Sequence, residues 1–236
     1  MEEDLSYIKN NWEKVKEEIE KTASRVGRKK DEIKVVAVSK GYSTSHIKEA
    51  FLAGIKTIGE NRVQEANKKI EELKEYPIEW HMVGHLQRNK VKKAINLFNL
   101  IHSVDNLPLA IEIDKEGKKL GRKIKILLQF NTSGELSKFG FNELEFFKIL
   151  DDIMKLDNLE ILGLMTIGPL TSEAQKIRMS FRKLYELRER LKRETKLDLP
   201  ILSMGMSEDF TIAIEEGANL LRLGRIIFSK NFEVRG

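Results

Sequence analysis

Two hydrophobic patterns alternate along the chain of 236 residues. One is a short run dense in Val, Ile and Leu. The other is a longer segment whose apolar residues recur three and four apart. The first segment, over 4–26, carries Leu5, Ile8, Trp12, Val15 and Ile19 at helical spacing and stops at Gly27. It predicts a helix ahead of the first strand. Strands are predicted after it over 33–39, 55–59, 78–84, 97–104, 124–130, 159–167, 201–203 and 219–223. Helical segments over 44–53, 61–74, 89–96, 107–120, 143–155, 172–196 and 207–216 connect them.

Runs such as Val35-Val36-Ala37-Val38 and Ile126-Leu127-Leu128 lack clean alternation. Strands covered on both faces read that way. Strict strand–helix alternation implies a parallel sheet, because each return must cross over. Eight such units in a chain near 250 residues give an α/β fold, a single (β/α)8 TIM-type barrel over 1–236 with an extra N-terminal helix. An open doubly wound sheet would want a Gly-rich phosphate loop, and no G-x-G-x-x-G or Walker sequence occurs.

Composition narrows the class. Hydrophobic residues make up 41% and charged residues 33%, enough apolar side chain for a sizeable core and too much for a disordered chain. No run approaches the roughly 18 apolar residues of a membrane span. The start, Met1-Glu2-Glu3-Asp4, is acidic, the opposite of a secretory signal. A cytoplasmic protein that does not engage a membrane is expected. The chain has no cysteine, which removes disulfides, thiol nucleophiles and cysteine-held metals. The net charge of +5 is interleaved with Glu, as in Glu13-Lys14-Val15-Lys16-Glu17-Glu18. Solvated helix faces explain it better than nucleic-acid binding. No exposed apolar stripe demands a dimer, so a monomer is expected.

In such a barrel the chemistry gathers where strands end and βα loops begin. Strand one ends at Ser39-Lys40, strand two at Gly59-Glu60-Asn61, and strand three at Gly84-His85. Strand seven gives Ser203-Met204-Gly205-Met206-Ser207, and strand eight gives Arg222-Leu223-Gly224-Arg225. The last two segments suit a phosphate: glycines admit a close backbone, serines offer hydroxyls, and Ser207 is placed to open a helix. Glu208 and Asp209 would compete for that helix end. Closure of the barrel sets strand one beside strand eight, so Lys40 falls next to the phosphate segment. Partial desolvation there, close to Arg222, favours the uncharged amine that attacks an aldehyde. A phosphorylated carbonyl compound is the indicated ligand class, pyridoxal phosphate or a phosphosugar. His81 and His85 lie on a strand running into a loop, not on one helix, and do not form a helical metal pair.

Val38-Ser39-Lys40, Gly59-Glu60-Asn61-Arg62-Val63-Gln64-Glu65, the segment from Trp80 to Lys90, Ser203-Met204-Gly205-Met206-Ser207 and Arg222-Leu223-Gly224 occur in that order. Together they resemble the pyridoxal-phosphate homeostasis protein family, single-domain relatives of the barrel of alanine racemase. The resemblance spans about 34–228. It implies a fold-type III pyridoxal-phosphate protein with the cofactor held as a Schiff base, and Lys40 matches the lysine. By the same matching Ser203, Gly205, Met206, Ser207, Gly224 and Arg225 hold the phosphate, Asn61 sits by the ring, and Arg222 faces the pyridine nitrogen. Arg225 stands where the family more often has Thr or Ser, leaving a backbone N–H rather than a hydroxyl.

A guanidinium beside the ring nitrogen disfavours its protonation, so carbanion stabilisation is weak. Alanine racemase compensates with a second base, a tyrosine from a second β-domain of the partner subunit, and no such domain is expected within these 236 residues. The expectation is a non-catalytic carrier acting in intracellular vitamin B6 homeostasis, and indirectly on amino- and keto-acid pools. Apo-enzymes that need the cofactor are its candidate recipients. The enzymatic alternatives are an amino-acid racemase or a Schiff-base aldolase on the same barrel.

Overall fold

A computed structural model of the chain describes residues 4–135 and 137–231. The strands are β1 (Lys34–Val38), β2 (Thr57–Glu60), β3 (Glu79–Met82), β4 (Leu100–Val104), β5 (Ile124–Gln129), β6 (Leu159–Met165), β7 (Ile201–Ser203) and β8 (Leu220–Leu223). All pair in parallel with their sequence neighbours, and β8 returns to β1 to close the barrel. The helices are α1 (Tyr7–Arg25), α2 (Thr44–Leu52), α3 (Val63–Glu72), α4 (Val91–Leu97), α5 (Leu107–Leu120), α6 (Glu143–Lys148), α7 (Leu150–Met154), α8 (Ala174–Glu194), α9 (Phe210–Glu215) and α10 (Arg225–Phe228). No helix among the described residues is long and apolar enough to cross a membrane.

Two apolar clusters divide the interior. The larger packs the outward side chains of the strands, such as Ala37, Ile58, Ile101 and Leu221, against the helices. The smaller gathers Val36, Leu100, Leu127, Met165 and Leu220, each from a different strand, with Val83 just after β3 and none from a helix. That second cluster is the barrel lumen. The period-two alternation of a strand assigns each residue to one cluster or the other.

The helices differ from expectation in three places. The segment predicted over 143–155 divides at Ile149, whose φ of −113° and ψ of 7° interrupt the turn. The helix predicted to open at Ser207 opens at Phe210 instead. There the Asp209 carboxylate reaches back to accept the Met206 N–H at 2.6 Å, and the chain makes a separate turn before the helix starts. The four-residue α10 follows β8 directly and was too short to leave a periodic signal. Helix α1 braces it: Tyr7 donates to the Phe228 carbonyl, and Asn11 to the carbonyls of Ile227 and Ser229.

Strand β6 shifts register against β5 between Ile161 and Gly163. A Cβ on Gly163 would fall 1.9 Å from the Ile201 carbonyl oxygen, so only glycine lets β7 pair there. Gly163→Ala is expected to lower stability by about 3 kcal/mol, read as a reduced urea midpoint. An unchanged midpoint would show that the β6–β7 contact relaxes freely.

Candidate functional site

Alternation decides which side chains reach the mouth. Val36 and Val38 line the lumen, which sends Ser39 outward and Lys40 inward at the end of β1. A turn follows, with Tyr42 N–H donating to the Ser39 carbonyl and Gly41 at φ 80°. Ser39 is fixed from behind. Its hydroxyl donates to the fully buried Glu60, and Lys69 of α3 bonds both the Glu60 carboxylate (2.6 Å) and the Ser39 carbonyl (2.8 Å). Removing either member of a buried ion pair strands the other charge, so this clamp holds the strand end rigidly.

Lys40 itself is exposed, a correction to the expected partial desolvation. It lies two residues past the last strand position, where the lumen opens to solvent. It lines a cavity of about 570 Å³ together with Asn61, Gln64, Met82, Gly84, His85 and Lys90. The Asn61 Oδ1 atom is buried and has no hydrogen-bond partner. Gly84 presses on the Asn61 backbone, where a Cβ would meet the carbonyl oxygen at 2.4 Å. His85 bonds Asp105 at 2.9 Å and stacks on the exposed ring of Phe139 with centroids 3.9 Å apart.

Arg222 on β8 points into the lumen and is 4% exposed. It donates to Ser203 Oγ at 2.7 Å and to the Thr166 carbonyl at 2.8 Å. Burial lowers its pKa to about 10, opposed by the nearby Asp209. Ser203, expected at the phosphate, therefore has its hydroxyl committed inside the barrel to Arg222 and His102.

The turns after β7 and β8 meet each other. Gly205 takes φ 92°, and a Cβ there would approach Ala213 to 2.6 Å. The Met206 N–H is held by Asp209, and Ser207 Oγ accepts from the Ile226 N–H at 3.3 Å. Gly224 abuts β1, where a Cβ would lie 3.2 Å from the Val38 carbonyl oxygen. The loop after Lys40 leans the same way, with the Tyr42 ring 5.0 Å from Phe228. Arg225 sits on the surface and pairs with Glu208 at 2.9 Å. Lys40 and Asn61 line the cavity, while Arg222, Gly205, Ser207 and Gly224 stand at the same end of the barrel in and after β7 and β8, which closes on β1, with Met206 and Arg225 exposed beside them.

Sequence reading missed His102 and the roles of Thr166, which closes strand six, and of Asp209. Parity holds the signal for the first, since His102 stands two residues after the lumen residue Leu100. Asp209 was read as a rival for an anion, whereas it satisfies the turn's own N–H. Among the described residues, no group of three or more His, Asp or Glu side chains could hold a metal ion.

Burial pushes the Asp209 carboxyl up, against the Met206 N–H and Arg222, which pull it down. A raised carboxyl contributes stability that is present below its unfolded value near 3.9 and lost as pH rises through its folded value. Asp209→Asn keeps an acceptor for Met206 and removes that loss. The variant is expected to gain in melting temperature at pH 7 relative to pH 3. An equal change at both pH values would contradict this.

Comparison with known proteins agrees with the geometry. Residues 4–231 match the family described as alanine racemase, N-terminal domain. A pyridoxal phosphate homeostasis protein of Aquifex aeolicus is 42% identical over 217 residues, 92% of this chain and 95% of that protein. One from Vibrio alginolyticus is 36% identical over 228 residues, 95% of this chain and 97% of that one. PipY of Synechococcus elongatus, solved with PLP bound, superposes with a TM-score of 0.80 at 38% identity, covering 84% of this chain and 93% of that chain. Alanine racemase of Clostridium difficile gives 0.71 at 16% identity, covering 98% of this chain and 56% of that chain, a likeness of fold. The chain belongs to the alanine racemase N-terminal domain family, among the pyridoxal phosphate homeostasis proteins.

Proposed function

We propose that this protein binds pyridoxal 5′-phosphate in the barrel mouth and holds it as a Schiff base on Lys40. On this reading it is a monomeric cytoplasmic carrier in vitamin B6 homeostasis rather than an enzyme with turnover. The carrying observation is the buried Arg222 guanidinium at the floor of a mouth whose rim bears an exposed lysine and two glycine turns.

Several features support the fit. The unpartnered Asn61 oxygen offers an acceptor at the ring's flank. Ser207 Oγ already accepts from Ile226, which leaves its own proton to donate to an anion. Asp209 occupies the Met206 N–H, so the phosphate's donors fall to Ser207 and the backbone of Gly224 and Arg225. Gly205 and Gly224 let these two turns pack closely on α9 and β1, where a Cβ would meet Ala213 and the Val38 carbonyl oxygen. Ser203 acts through Arg222 rather than on the phosphate.

Lys40 would hold the ligand, which when bound would supply an aldehyde for that nitrogen to condense with, the aldehyde oxygen leaving as water with both amine protons. Arg222 can only donate, so it keeps an unprotonated pyridine nitrogen as its acceptor. A ring held in that state withdraws electrons weakly, which favours storage and release over turnover.

Adding pyridoxal phosphate to the purified protein is expected to give a visible absorption band that borohydride abolishes. Lys40→Ala is expected to bind without that band. A colourless wild type, or an unchanged band in the variant, would overturn the assignment of Lys40. Alanine incubated in deuterated water with the protein is expected to gain no α-deuterium at a turnover rate. Rapid incorporation would support the racemase instead.

A further inference from the structure

The lumen beneath Arg222 is crossed by a continuous line of polar side chains. Ser203 Oγ, bonded to Arg222, lies 2.9 Å from His102 Nδ1. His102 Nε2 lies 3.0 Å from His81 Nδ1, and His81 Nε2 lies 3.1 Å from Glu79 Oε1. Arg222, Ser203, His102 and His81 are buried, while Glu79 is exposed. Glu79 begins β3 and sits at the end of the barrel away from Lys40. It opens into a polar recess of about 280 Å³ shared with Asn99, Arg122 and Lys123. The line therefore runs from the floor of the mouth to solvent at the foot of the barrel.

With one proton on each ring, the two ends fix its direction. A guanidinium has donors and no acceptor, and a carboxylate has acceptors and no donor. Ser203 Oγ accepts from Arg222 and turns its one proton to His102 Nδ1. His102 Nδ1 thus accepts, so that ring carries its proton on Nε2 and donates to His81 Nδ1. His81 repeats the pattern and donates from Nε2 to Glu79. In this arrangement each ring carries one proton, on Nε2, and accepts at Nδ1.

A second arrangement is also closed. A proton delivered to Ser203 from the mouth moves the line on by one step: the Ser203 proton passes to His102 Nδ1, the His102 Nε2 proton passes to His81 Nδ1, and an imidazolium is left at His81 beside Glu79. Ser203 keeps the incoming proton, turned to the mouth, and accepts from both Arg222 and His102. We propose that Glu79, His81, His102 and Ser203 form a directional relay through the barrel, with the two histidines as positioning residues that set how Arg222 and Ser203 face the mouth.

The electrostatics agree with the neutral arrangement. Burial, with His81 and Arg222 beside it, holds His102 well below the ordinary histidine range. The hydrogen bond from His81 holds Glu79 low, with Lys34 and Thr57 acting the same way. Asp209 is the remaining charge that faces Arg222. The relay uses only side chains of this chain, so it stands independently of the pyridoxal phosphate reading.

Two-bond proton–nitrogen correlation spectra of the ligand-free protein, labelled with 15N-histidine, test it at neutral pH. His81 and His102 are expected to show the Nε2–H pattern with Nδ1 as acceptor. An Nδ1–H form or an imidazolium at His102 would overturn the direction. Glu79→Ala removes the terminal acceptor at an exposed position. It is expected to displace the His102 nitrogen signals, although the two residues do not touch. Signals of His102 that stay fixed while those of His81 move would overturn the coupling. The wild-type spectrum decides the direction by itself if the variant does not fold.

Discussion

A positive charge buried in the lumen of a closed barrel is the constraint on which this site depends. Arg222 sits where eight strands exclude solvent, and burial alone pulls its guanidinium toward neutrality. Leaving such a charge without partners costs about 3–5 kcal/mol. The fold answers from three directions: Ser203 from β7, the Thr166 carbonyl just after β6, and Asp209 from the turn before α9. Those partners also set what the mouth can do. With its neighbours satisfied, the guanidinium presents a fixed hydrogen-bond donor and no acceptor, which suits a heteroaromatic nitrogen that is held rather than protonated.

Around that floor the barrel supplies a rim by alternation and bracing. Lys40 reaches the mouth because Val36 and Val38 precede it on the lumen side. Ser39 stays behind the wall because Glu60 and Lys69 hold it there. The turn after β8 is steadied from outside by α1, whose Tyr7 and Asn11 take the carbonyls of α10. The extra N-terminal helix thereby belongs to the site as much as to the fold. It fixes the backbone on which an anion would rest.

Much of this was legible in the sequence, for physical reasons that differ by element. The strands and long helices left strong periodic signals, and these are the elements the structure contains. The start of α9 was misplaced because a side chain, Asp209, captured the Met206 N–H that a helix cap was expected to use. Ser203 was assigned to an anion because its neighbours are glycine and serine. Parity sends its hydroxyl inward, to Arg222 and His102, and only the closed barrel brings those residues together. His81 and His102 are 21 residues apart in sequence, so no local motif announces their contact.

The central claim is that the exposed nitrogen of Lys40 and the buried Arg222 serve the same ligand from opposite sides. Peptide mapping by mass spectrometry, after the protein has been loaded with pyridoxal phosphate and reduced with borohydride, reads it most directly. The predicted result is a single pyridoxyl label on Lys40, retained at a stoichiometry near one. A label carried mainly by Lys90, Lys138 or another surface lysine, or no label at all, would contradict it.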